Sequence, residues 1–127
     1  VAGPVLTAFD PEVIVLSAGY DAHADDPLGG MRVSTGGYTT MTQRLRTVVD
    51  RCCRGRLVVV TEGGYDLPAL EACLDATLRA VSEALPTNVP AIEGPTPAAD
   101  VALAAVGPAL IPFWPTLVAG QRSRDLP

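Results

Sequence analysis

Four consecutive apolar residues, Val13-Ile14-Val15-Leu16, follow an Asp10-Pro11 break and run into Ser17-Ala18-Gly19. Glu12 to Ser17 therefore reads as a buried strand that ends in a turn of small residues. A second run, Leu57-Val58-Val59-Val60, ends the same way in Thr61-Glu62-Gly63-Gly64-Tyr65-Asp66 and predicts a strand over Arg56 to Thr61. Between them Tyr38, Met41, Leu45, Val48, Val49 and Cys52 recur at helical spacing, which predicts a helix from about Gly37 to Cys53 with Ser34 or Thr35 as its cap. Strand, helix and strand with short links form a right-handed βαβ unit with parallel strands.

A further helix is expected from about Leu67 to Leu85, with Pro68 in its first turn, where a missing N–H costs little. Its predicted buried stripe is Leu67, Leu70, Cys73, Leu74, Leu78, Val81 and Leu85. Residues 86–98 are rich in proline and read as an extended connector, dividing a catalytic part at 1–85 from a C-terminal part at 99–127. That last part predicts a short helix over Asp100 to Val106 and an aromatic plug at Phe113-Trp114-Pro115. Val1 to Phe9 reads as the end of something already under way. Both strands are apolar throughout, as in strands covered on two faces. Two strands do not finish an α/β sheet, so neighbours are expected from other chains or from sequence upstream.

Composition narrows the function classes. The chain has 127 residues, 48% of them hydrophobic and 18% charged, which suits one packed domain and not a disordered segment. A net charge of −5 without any Lys/Arg run argues against direct nucleic-acid binding. Arg44, Arg46, Arg51, Arg54 and Arg56 read as a solvated face. No apolar stretch approaches the ~20 residues needed to cross a bilayer, and no stretch reads as a signal peptide. Three cysteines, two of them adjacent at Cys52 and Cys53, match no zinc spacing and are expected to be reduced, in a cytoplasmic protein.

The candidate chemistry lies beyond the two strand ends, where open parallel sheets place their sites. The first loop carries Asp21, His23, Asp25 and Asp26. Asp21 can bind a divalent metal or act as a general base; equally, Asp21, Asp25 and Asp26 can simply accept backbone N–H bonds in a turn. In the second loop, Gly63 and Gly64 let the backbone approach a ligand closely, and the Tyr65 phenol can donate a hydrogen bond to a developing oxyanion or be an ordinary half-buried turn residue.

Phe9 to His23, Asp26-Pro27-Leu28-Gly29 and Glu62-Gly63-Gly64-Tyr65 resemble, in order, the histone deacetylase family. The resemblance runs from about Val1 to Val81 and is greatest to the class II-like bacterial branch, which includes acetoin-utilisation proteins and acetylpolyamine amidohydrolases. It implies a zinc-dependent amidohydrolase on the arginase/deacetylase fold, a three-layer α/β/α architecture of which this chain holds only part. By the same resemblance Asp21 is a zinc ligand and Tyr65 the catalytic tyrosine that polarises the acetyl carbonyl. Gly63 and Gly64 line the pocket floor, Leu28 stands at its rim, and His23 and Asp26 are structural loop residues near the site.

The family's Asp-x-His pair of zinc ligands and its two acid/base histidines are missing, His23 being the only histidine. The implied chain is thus the C-terminal part of a longer enzyme, inactive alone, whose partners are acetylated proteins or small acetylated amines. Leu28, where polyamine-specialised relatives can place an acid, tilts the substrate toward less cationic compounds. Two other readings are a non-catalytic interaction module completed by a partner chain, and a two-manganese ureohydrolase. The ureohydrolase would want an aspartate at His23.

Overall fold

In the computed structural model residues 1–89 and 97–117 are described. The elements are α1 (Ala2–Phe9), β1 (Ile14–Ala18), α2 (Thr35–Cys53), β2 (Leu57–Thr61), α3 (Leu67–Ser82) and α4 (Pro97–Leu110). They fall into two compact units: Glu12–Pro90, and Val1–Pro11 with Ala91–Pro127. Much of the expected connector at 86–98 lies outside the described residues, as does the end of the expected C-terminal part.

Within Glu12–Pro90, β1 and β2 pair in parallel, with Ile14 opposite Leu57, Leu16 opposite Val59 and Ala18 opposite Thr61. The crossover between them is α2. The Ser34 hydroxyl opens that helix by accepting the Gly37 N–H at 3.1 Å. Arg54 and Gly55, both at positive φ, close it. A core of Ala18, Tyr20, Tyr38 and Cys73 joins sheet to helices, with Leu16, Val33, Val59, Leu70 and Leu74 packed around it. Period-two alternation puts Ile14, Leu16 and Val59 on that covered face. The opposite face carries Val13, Val15, Val58 and Val60, all exposed. The uniformly apolar strands are thus covered on one face by the described residues.

Helices α2 and α3 pack against each other, and the Arg46 guanidinium donates to the Val81 carbonyl near the end of α3. The buried stripe of α3 differs from the expected one. Ala69, Cys73, Thr77 and Ala80 are buried, whereas Leu67 and Leu78 are exposed and Leu70, Leu74, Val81 and Leu85 half-buried. At 100° per residue, Leu67 and Leu78 point about 200° away from Ala69 and Ala80. Small side chains form the stripe, and counting leucines misplaces it. In α2, Tyr38, Thr42, Val49 and Cys53 are buried, while Met41 is exposed.

In the other unit, Ala2–Phe9 forms helix α1, where the sequence pattern predicts no element. Its Gly3 and Pro4 occupy the first turn, whose N–H groups have no intrahelical partner in any case. Helix α4 is longer than expected and contains Pro108. The aromatic plug is only half realised. Trp114 is half-buried and meets Phe9 edge-on, with centroids 6.3 Å apart, while Phe113 is exposed.

Candidate active site

Because β1 and β2 are parallel neighbours, their C-terminal ends release both motif loops on the same side of the sheet. The ladder continues past the strands. Glu62 N–H donates to the Ala18 carbonyl at 3.0 Å, and Tyr20 N–H to the Gly63 carbonyl at 2.7 Å. These bonds hold Gly19-Tyr20-Asp21 against Gly63-Gly64-Tyr65.

The half-buried Asp21 side chain lies close against two glycines. A Cβ on Gly63 would stand 2.8 Å from Asp21 Oδ2, and one on Gly19 would stand 3.1 Å from Oδ1. Gly64 has φ of 140°, a region that residues with side chains rarely adopt, and a Cβ there would press on Tyr20 and Leu70. Tyr65 follows directly and its side chain is exposed. Asp66 then caps α3, accepting the Ala69 N–H at 2.8 Å. Leu28 is exposed on the first loop.

His23 is buried, with one ring nitrogen engaged within the loop and the other at the start of α2. Nδ1 accepts the Asp25 N–H at 3.2 Å, which assigns the proton to Nε2, and Nε2–H donates to Thr35 Oγ1 at 3.3 Å. The adjacent backbone is bridged to Val33: Ala24 N–H donates to the Val33 carbonyl, and Val33 N–H to that of Ala22. The imidazole thus braces the far end of the loop.

Asp26 is the residue whose reach the sequence reading missed. Its Oδ1 accepts the N–H groups of Leu28 at 2.9 Å and Gly29 at 3.0 Å, an Asx-type turn. Its Oδ2 crosses to the second loop and accepts the Tyr65 N–H at 2.8 Å. The Tyr65 N–H is the largest cause holding the Asp26 carboxyl below its usual 3.8; burial opposes it, and the N–H groups of Leu28, Gly29 and Asp66 add to it. A carboxyl lowered by folding stabilises the native state above its unfolded value, and that stability is lost as pH falls through the lower native value. Thermal melting followed down to about pH 2 should accordingly show an acid limb that is flatter in an Asp26→Asn variant. Superimposable limbs would contradict the shift.

The donor set fits one corner of a metal site. Asp21 presents carboxylate oxygens, a donor type that zinc accepts. Among the described residues no three His, Cys, Asp or Glu side chains come together as a metal-holding group. Completing a tetrahedral site requires ligands from outside them.

Residues 1–81 match the histone deacetylase domain. Type-2 histone deacetylase 1 of Dictyostelium discoideum is 45% identical over 78 residues, covering 61% of this chain and 5% of that protein. The histone deacetylase-like amidohydrolase of Pseudomonas aeruginosa is 39% identical over 79 residues, covering 62% of this chain and 21% of its own length. The crystal structure of the HDA15 HD domain superimposes with a TM-score of 0.80 at 33% identity, covering 96% of this chain and 32% of that one. An α/β unit with its motif loops at the ends of parallel strands is thus part of an arginase/deacetylase fold. The chain belongs to the histone deacetylase domain family, among whose members are deacetylases and amidohydrolases. It spans only a small share of the length of the relatives it matches.

Proposed function

We propose that this chain is the C-terminal part of the catalytic domain of a zinc-dependent deacetylase that hydrolyses N-acetyl amides, either acetyl-lysine side chains or small acetylated amines. The observation that carries the reading is the meeting of Asp21 and Gly63-Gly64-Tyr65 at one strand edge, inside the region that matches the family. Bound zinc would supply a Lewis acid and a water whose pKa is lowered to about 7.

The chain's own residues have separable tasks. Asp21 would donate one carboxylate oxygen to the metal, and the absence of side chains at Gly19 and Gly63 leaves room for that carboxylate. Tyr65 would donate its phenolic O–H to the substrate oxygen as negative charge develops there, and its exposure leaves the ring open to substrate. Leu28 would offer an apolar contact at the rim, in keeping with a less cationic substrate. Three free cysteines support a cytoplasmic location.

The test is acetate release from an acetyl-lysine peptide and from a small acetylated amine, using the full-length protein that contains this chain. Turnover that a chelator abolishes and zinc restores is expected. Absence of acetate release from every N-acetyl amide offered to the zinc-loaded protein would refute the reading.

A further inference from the structure

Tyr65 has an unusual placement for a group that must be accurately aimed. Its ring is exposed, so packing does little to fix it, and it follows two glycines, the second in a left-handed conformation. Its position is set by its backbone. One tether is the Tyr20–Gly63 hydrogen bond two residues earlier. The other acts on Tyr65 itself: the Asp26 carboxylate, buried and 39 residues away in sequence, takes the Tyr65 N–H at 2.8 Å.

We infer that Asp26 is a positioning residue for Tyr65, a carboxylate clamp that sets the tyrosine's backbone against the Asp21 loop. The inference rests on the catalytic reading of Tyr65 given above. Asp26 touches neither metal nor substrate in this account. Its two oxygens divide the work, Oδ1 closing the Leu28-Gly29 turn and Oδ2 reaching across to the second loop. A charged acceptor strengthens each of these bonds. Displacement of a reacting group by about 1 Å can lower a rate about a hundredfold, so a clamp on the main chain of an exposed tyrosine bears on turnover more than on binding.

Two variants separate the clamp from the turn. Asp26→Asn is nearly isosteric but has a single acceptor oxygen, so either the turn or the Tyr65 N–H faces an NH2 group. Asp26→Ser can still close the turn with its hydroxyl but is too short to reach the second loop. Each is made in the full-length protein, alone and with Tyr65→Phe. Measurements are kcat and KM on an acetyl-lysine peptide, bound zinc and thermal melting. Both variants are expected to retain zinc and to keep KM within about threefold; Asp26→Ser, which cannot reach the second loop, should lose about tenfold or more in kcat, and Asp26→Asn less, because its one oxygen can still take the Tyr65 N–H. In the Tyr65→Phe background the same changes should cost less than about threefold, because the group they position is already gone.

A penalty that persists in full in that background would overturn the inference. So would loss of zinc, unaltered kcat in Asp26→Ser, or recovery of both proteins unfolded, since the carboxylate would then serve the fold or the metal loop. The parent reading fails separately: it falls if Tyr65→Phe alone leaves turnover intact. A crippled Tyr65→Phe beside unaffected Asp26 variants would remove this inference only.

Discussion

If the proposed deacetylase reading holds, replacing Tyr65 with phenylalanine should lower the turnover of the full-length protein about 10²–10³-fold while leaving KM within a few-fold of its original value. The substitution removes one oxygen from an exposed ring, so neither the Gly63-Gly64 turn nor the Asp26 clamp, which holds the backbone N–H, is disturbed. On the proposed reading, what is lost is a donor aimed at charge that exists only in the transition state. Steady-state kinetics on an acetyl-lysine peptide decide the matter. A loss confined to KM would make Tyr65 a substrate-binding residue, and an unchanged kcat would remove it from the mechanism.

Asp21→Asn should have the larger effect. An amide in place of the carboxylate keeps the size that the Gly19–Gly63 recess accepts but discards the negative charge that a zinc ligand supplies. Metal content, measured after gel filtration, is expected to fall well below one zinc per protein, and acetate release should fall with it. Excess zinc should restore activity only in part. The melting behaviour of the metal-free form should change little, because the loop is braced elsewhere by His23–Thr35 and by Asp26. Stoichiometric zinc with full turnover in this variant would remove Asp21 from the metal site.

The parts of the fold legible in the sequence are those with local causes. Apolar runs ending in small residues gave both strands, and a Ser34 or Thr35 cap and Pro68 in a first turn gave the starts of α2 and α3 to within a turn. The parallel pairing followed from the crossover. The buried stripe of α3 was not legible, because its seam is made of Ala69, Cys73, Thr77 and Ala80, while two leucines that look like core face outward. Nor was α1, a short helix whose Gly3 and Pro4 are tolerated because they fall in its first turn.

The site divides along the same line. Asp21, Gly63, Gly64 and Tyr65 stood out because small residues and a few polar ones follow each strand. The contact between Asp21 and Gly63 needed only the strand register to appear. The second task of Asp26 did not. Its turn is written in the Asp-Pro-Leu-Gly run, but the bond to Tyr65 joins residues far apart in the chain and leaves no mark in either motif. The one available signal is that an Asx turn needs one carboxylate oxygen, which leaves the other to be accounted for.

The central claim is that Asp21 is a ligand of a catalytic zinc faced by Tyr65. Its most direct test is a crystal structure of the full-length protein with diffraction recorded at the zinc absorption edge. The expected result is an anomalous peak at about 2.0–2.2 Å from an Asp21 carboxylate oxygen, with the Tyr65 hydroxyl turned toward the same cavity. A zinc peak elsewhere, or none in a protein that is turning over substrate, would contradict it.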